Sequence, residues 1–324
     1  MRGEPQTRRA FFYTVGTLGL TGCGRPAATG SPEALSRLCK YSRQHGLGIS
    51  ILTNAEIYTR FLCNPTSTRA GTIPFFNPLN KSGMLADWGR AVVIEGGEDL
   101  RAVGMAGNEI GDIVTSVGVE ACVLRGTRDL LFWGQERSLA QDEAARGRAT
   151  MLPYGIHLAD LPTGKVRTIS AFDVSSRTGL PRVAASFVGG ASQIRLSVGY
   201  DTSLVGFDGK LLAKEPWRME LVEGSPDGKF LAGLRPGGSL AVIETSSGKA
   251  SDLPLVPLGR IRWDPTSRYV LAVCRSRFWL PVGEVVVVDA VTQDLVRLPP
   301  IVPDNRYHPY EWVLQPDTAA TAAG

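Results

Sequence analysis

The chain of 324 residues is short of most things that announce chemistry. It has three histidines, His45, His157 and His308, each isolated among different elements, and a lone histidine is far more often structural than catalytic. No G-x-S-x-G, H-E-x-x-H, P-loop or G-x-G-x-x-G occurs, so the hydrolases, zinc proteases and nucleotide enzymes that carry those motifs lose support. Net charge is only +4, and Arg2, Arg8 and Arg9 against Glu4 place half of it in the first nine residues, which argues against a nucleic-acid partner. No apolar run approaches the roughly 20 residues that a membrane-spanning helix requires. The five cysteines show no C-x-x-C spacing.

Turn formers, by contrast, are plentiful. Gly 37 and Pro 21 accompany 43% apolar and 20% charged residues, without low-complexity tracts, a balance suited to many short strands around a sizeable core. At this length two domains or one large all-β domain are both open.

The opening "MRGEPQTRRAFFYTVGTLGLTGCGRPAATG" reads as a targeting segment: a positive start, an apolar stretch from Phe11 to Leu20, then small residues. Thr7-Arg8-Arg9-Ala10-Phe11-Phe12 resembles the twin-arginine export motif, with Arg8, Arg9 and Phe11 as its readable positions. Leu20-Thr21-Gly22-Cys23 resembles a bacterial lipobox, which implies lipidation of Cys23 after cleavage and attachment to a membrane surface. The plainer alternative is an ordinary cleaved signal with an incidental cysteine. The expected address is export, on the periplasmic side of a bacterial membrane and lipid-anchored. Cys39, Cys63, Cys122 and Cys274 then remain, expected as buried free thiols, with Cys39–Cys63 the pairing to test first.

The main signal is a repeat. "SPDGKFLAG" at 225–233 recurs 39 residues later as "DPTSRYVLAV", aligning Pro226 with Pro265, Lys229 with Arg268 and Phe230 with Tyr269. A strand, an acidic residue, a turn and a second strand follow each copy: "LAVIETSSGKASDL" at 240–253 and "VVVVDAVTQDLVRL" at 285–298. The same hairpin stands earlier in "IHLADLPTGKVRTI" and "SLVGFDGKLLAK", so that the turn residues Gly164, Gly209, Gly248 and Gln293 are spaced by 45, 39 and 45 residues. That is the period of a four-stranded propeller blade. The expected fold class is therefore all-β, a β-propeller of six blades (seven also fit the length) with four antiparallel strands each. "YEWVL" at 310–314 is positioned to close the ring against strands near 48–62, and residues 217–253 and 259–298 should form adjacent blades.

Before the ring, "SPEALSRLCKYSRQHG" predicts a short helix with Ser31 as N-cap, Pro32 at N1, Gly46 past its end and Leu35, Leu38 and Cys39 on one face. Between Trp133 and Tyr154 an Ala/Glu/Arg-rich stretch reads as an exposed loop or short helix. The organisation expected is a signal peptide over 1–22, a lipidated linker and helix over 23–46, a propeller over 47–316 and a disordered tail over 317–324.

The phrase "SPDGKFLA" with its downstream hairpin resembles the WD-like repeat of TolB-type periplasmic β-propellers, and "DPTSRYVLA" is a weaker second copy. The resemblance implies that Asp227, Gly228 and Phe230 are structural, the first two in the turn between strands and the aromatic packed between sheets. It also implies an exported protein that binds ligands through the ends of the ring. Fold alone does not assign function.

Two surfaces compete for that role. Propeller enzymes assemble sites from acidic residues at the channel mouth, and Glu109, Asp112, Asp129, Asp173, Asp201 and Glu220 lie near expected strand ends, with nothing to choose among them and no metal set singled out. The insertion "CRSRFWLPVG" at 274–283 offers Arg275, Arg277, Phe278 and Trp279 as a basic-aromatic patch for a carboxylate, sugar or protein, or else as cover for a groove between blades. The favoured function is a non-catalytic, membrane-tethered binding or scaffold module for a protein or envelope polymer, monomeric, without cofactor and without nucleic acid. The alternative is a propeller hydrolase or lactonase with acidic residues in its channel.

Overall fold

The protein is described from a computed structural model over residues 30–53, 56–62, 68–72, 82–87, 91–95, 99–104, 109–114, 117–125, 128–136, 153–172, 182–189, 192–275, 283–298, 301 and 310–314. The leader, with Arg8, Arg9, Phe11 and Cys23, lies outside these residues, as do Cys63 and most of the stretch between Trp133 and Tyr154.

The chain enters through helix α1 (Pro32–His45), whose ends are those the sequence predicts. Ser31 Oγ accepts from the Ala34 N–H at 3.1 Å, Pro32 occupies the first turn, and Gly46 takes the left-handed conformation at φ 61°. The buried face is Ala34, Leu38 and Ser42, with Leu35 and Tyr41 beside it; Cys39 is only half-buried, so the expected face is turned slightly. Tyr41 meets Thr266 at 2.6 Å, and Arg37 pairs with Asp294, so the helix is tied to the last repeat of the chain. No helix among the described residues is long and apolar enough to cross a membrane.

Among the described residues twenty-four strands follow, in six four-stranded antiparallel sheets. β1 (Leu47–Thr53), β2 (Glu56–Phe61) and β3 (Thr68–Thr72) belong to the first, and β4 (Ser82–Ala86), β5 (Ala91–Glu95), β6 (Asp99–Gly104) and β7 (Glu109–Val114) form the second. The third holds β8 (Val117–Arg125), β9 (Asp129–Glu136), β10 (Gly155–Asp160) and β11 (Lys165–Ala171). The fourth holds β12 (Val183–Phe187), β13 (Gln193–Val198), β14 (Asp201–Gly206) and β15 (Leu211–Glu215). The two repeats read from the sequence are β16 (Glu220–Gly224), β17 (Phe230–Leu234), β18 (Leu240–Glu244) and β19 (Ala250–Leu253), then β20 (Pro257–Trp263), β21 (Tyr269–Arg275), β22 (Gly283–Asp289) and β23 (Leu295–Leu298).

The last strand, β24 (Tyr310–Leu314), returns to the first sheet and pairs with β1 in the register Gly48↔Val313, Ile49↔Trp312, Ser50↔Glu311. The two ends of the described chain therefore share one sheet, as "YEWVL" suggested. Strands β4, β8, β12, β16, β20 and β24 each touch the next, and β24 touches β4, which makes them the inner ring of a closed β-propeller. Closure leaves no sheet face to water at the ends of the array.

The turn device works as its residues dictate. In the first copy the Ser225 hydroxyl accepts from the Phe230 N–H at 2.9 Å and donates to Asp227 Oδ1, while Gly228 adopts φ 75°. In the second, Asp264 stands where Ser225 stood and accepts from the N–H groups of Tyr269 (2.6 Å) and Arg268 (2.7 Å); Ser267 replaces the glycine at φ 67°. Ser267 Oγ also accepts from the Asp227 N–H at 2.9 Å, linking the two turns. Pro226 and Pro265 both lie outside the ladders. The spaced residues Gly164, Gly209, Gly248 and Gln293 all have positive φ, between 63° and 79°, so the periodicity marks a recurring left-handed turn position.

Packing between sheets forms the core. Leu38 of α1 joins Leu47, Ile49, Tyr269, Val287 and Trp312 in one cluster that spans first and last repeats, while Leu234, Leu240, Trp263, Val270 and Val286 fill the junction of the two aligned repeats. Phe230 stacks on Trp263 of the next sheet at 6.1 Å, the position between sheets that the resemblance implies.

Candidate functional site

At the ring centre three inner strands bring charges together. Arg262 on β20 donates through Nη1 to Glu223 Oε2 on β16, and its Nε lies against Glu311 Oε2 on β24, both at 2.9 Å. The indole of Trp263 donates to the Glu223 carbonyl at 2.9 Å and that of Trp312 to the Arg262 carbonyl at 3.1 Å, so the charged groups are held by rigid neighbours. Burial pushes the Glu311 carboxyl up to about 7, with nearby Glu223 adding to the effect and Arg262 opposing it. Arg260, also on β20, lies 4.9 Å over the ring of Trp133 on β9.

Arg260, Arg262 and Glu311 alternate with apolar residues in "GRIRW" and "YEWVL"; a charge inside an apolar strand is the signal that could have found them. Both carboxylates pair with the same guanidinium. This arrangement ties adjacent blades together more directly than it offers a free base.

The acidic residues singled out by sequence do not converge. Only Glu220 is on an inner strand, where it pairs with Arg182 at 3.3 Å; Glu109 begins the outer strand β7, Asp201 begins β14, Asp112 is within β7 rather than at its end, and Asp173 lies outside the described residues. No group of three metal-ligating side chains exists among the described residues. His157 is fully buried between Thr168 Oγ1 (3.2 Å) and the Pro153 carbonyl (3.1 Å), and burial lowers its pKa to about 4, so it is a neutral packing element. Cys39 and Cys274 are free thiols, and burial pushes Cys274 up to about 12, which makes it a poor nucleophile. The insertion sits between β21 and β22, the second and third strands of their sheet; Arg275 closes β21 opposite Gly283, and Arg277, Phe278 and Trp279 lie outside the described residues.

A groove of about 800 Å³ opens between the third and fourth sheets. Strand register builds one wall: Arg125, Asp129, Asp160 and Lys165 end or begin β8, β9, β10 and β11 and stand level in the sheet. The fourth sheet contributes Ser192 and Phe207. Arg125 pairs with Asp129 at 2.6 Å and reaches over the rings of Phe187 and Phe207 at 4.7 and 4.9 Å; Arg128 pairs with Asp160 at 3.2 Å. Lys165 and Arg167 complete a lining of four cations against two carboxylates, and both carboxylates are already engaged. The sequence singles out Asp129 alone here, as an acid; the cations that outnumber it come from β8, the turn before β9 and β11, up to 42 residues apart.

No family model matches the chain, and no curated protein matches it. Among solved structures it is similar to TolB from Acinetobacter baumannii, with a TM-score of 0.56 at 13% identity over 83% of this chain. The match spans 66% of that protein's length, just under two thirds. The β-propeller domain of Swd1 from Myceliophteria thermophila is also similar, with a TM-score of 0.50 at 10% identity over 90% of both chains. With the closed ring of antiparallel four-stranded sheets, these likenesses identify the fold as a TolB-like β-propeller.

Proposed function

We propose that this protein is a binding or scaffold propeller, exported and held at a membrane surface through Cys23, that takes a protein or envelope polymer on one face of its ring as a monomer. The observation that carries the reading is the basic-aromatic groove between the third and fourth sheets, an open surface with more cations than its own carboxylates neutralise. The paired state of Glu223 and Glu311 supports it from the other side, since the ring-centre carboxylates serve an arginine. Arg275, Arg277, Phe278 and Trp279 on the β21–β22 insertion are a second contact surface in this reading, because arginine and tryptophan combine large contact area with directional bonds.

Expression of the full chain with a C-terminal tag tests both halves. Cys23→Ala should abolish acyl labelling and membrane association while leaving the propeller folded; label retained by that variant would remove Cys23 as the anchor. Pull-down from solubilised envelopes should recover a partner or polymer with the wild-type chain. Arg277→Ala with Trp279→Ala should weaken that recovery with little change in melting temperature. A large loss of thermal stability would show that the insertion is a packing element.

A further inference from the structure

The binding-module reading leaves open what the groove takes, and its chemistry is specific enough to say. Three requirements are written into its lining. The first is a negative charge: Lys165 and Arg167 emerge from β11 on the same side, two residues apart, both exposed, and neither has a carboxylate partner among the described residues. Arg167 rests its guanidinium 5.8 Å from the centre of the Phe207 ring, which leaves its N–H groups for an incoming acid.

The second is a hydrogen-bond donor. Asp160 spends Oδ2 on Arg128, while Oδ1 is buried and has no hydrogen-bond partner among the described residues. A buried carboxylate oxygen without a partner is costly, and a ligand hydroxyl placed there would recover that cost. A ligand that is only an anion does the opposite, since it brings negative charge to Asp160 and Asp129. The third is an apolar face: Phe207, half-buried at the groove wall, presents ring surface of the kind on which the C–H face of a sugar lies.

One ligand class meets all three. We propose that the groove between the third and fourth sheets recognises a hydroxylated carboxylate, the chemistry of a uronic-acid unit in an acidic polysaccharide. The carboxylate sits between Lys165 and Arg167, a hydroxyl donates to Asp160 Oδ1, and the ring lies along Phe207. The inference rests on the proposed binding role, and names the ligand of that site. Because the two cations are exposed, their contribution weakens with salt, so binding should fall as ionic strength rises.

The test uses the full chain, titrated in low-salt buffer with D-glucuronate and an oligogalacturonate, and with methyl glucoside and inorganic phosphate as comparison probes. Glucuronate should bind saturably, the oligomer more tightly, and methyl glucoside at least tenfold more weakly. Lys165→Glu with Arg167→Glu should reduce glucuronate affinity at least tenfold with an unchanged melting temperature, as both side chains are exposed. Phosphate binding as tightly as glucuronate would overturn the proposal in favour of a bare anion site. Glucuronate binding no better than methyl glucoside, or undiminished in the double variant, would overturn it outright. A pull-down in which the double variant still recovers the wild-type partner would refute this inference while leaving the binding role intact; a wild-type chain that recovers nothing would refute the binding role itself.

Discussion

Glu311→Gln should make the propeller more stable at pH 8 than the wild type and leave it nearly unchanged at pH 5. Glu311 is 8% exposed and its carboxyl has Arg262 at 2.9 Å, yet its folded-state pKa is raised from 4.5 to about 7. Burial therefore costs the ionised form more than the guanidinium returns, in part because Arg262 is shared with Glu223. The sign follows from proton binding. Between pH 4.5 and 7 the folded chain keeps a proton that the unfolded chain has lost, so stability falls as pH rises through that window. At about 1.4 kcal/mol per pKa unit the fall is about 3 kcal/mol, complete near pH 8. Glutamine imitates the protonated acid, so the variant lacks this slope. Denaturant unfolding followed by tryptophan fluorescence at pH 5, 6, 7 and 8 measures it, and Trp312, fully buried beside residue 311, is a suitable reporter. Thermal midpoints should separate by roughly 2 °C per kcal/mol in a domain of this size. A variant destabilised more at pH 8 than at pH 5 would refute the reasoning, for it would show that the ion pair is a net gain.

His157 supplies the opposite slope. Its pKa is lowered from 6.5 to about 4, so stability should fall as pH drops through that range by about 3 kcal/mol, and His157→Gln should flatten the acid limb of the curve even though the lost packing costs stability at pH 7; an unaltered acid limb would exclude His157 as its source. Asp264→Ala orphans the N–H groups of Thr266, Arg268 and Tyr269 and should cost about 2–4 kcal/mol in urea unfolding, whereas Asp264→Ser should cost less, because Ser225 performs the same task in the preceding repeat. Equal losses in the two variants would count against that equivalence. Deleting residues 310–324 removes β24 and its buried Trp312, uncovers β1, and should abolish the cooperative unfolding transition seen by calorimetry; a truncated chain that still melts sharply would mean that the ring does not depend on closure by this strand.

Much of this molecule is legible residue by residue. Ser31, Pro32 and Gly46 set the ends of α1 because capping is satisfied within four residues of chain. Gly164, Gly209, Gly248 and Gln293 mark the same left-handed turn position at blade spacing, since a positive φ is a demand on one residue that needs no distant partner. The Ser-Pro-Asp-Gly-Lys device and its copy specify the turns for the same reason, and alternating apolar residues specify strands. Even the closure by "YEWVL" follows from pattern and position, because a sheet otherwise left one strand short has a single place for it.

What the tertiary structure alone decided is which charges meet. Glu223, Arg262 and Glu311 lie on three strands that the chain visits separately, and only closure of the ring brings them within 3 Å of one another's partners. In sequence Arg125, Asp129, Asp160 and Lys165 are ordinary ends of strands, and Asp129 reads as a possible acid. Register places all four in one row, pairing neutralises the acids, and the neighbouring sheet adds Phe207, so the surface is basic instead. A local pattern reports the conformation that a residue imposes on its own backbone. Electrostatic character belongs to a volume of space, and here that volume is bounded by elements from two sheets whose packing no short stretch of the chain contains.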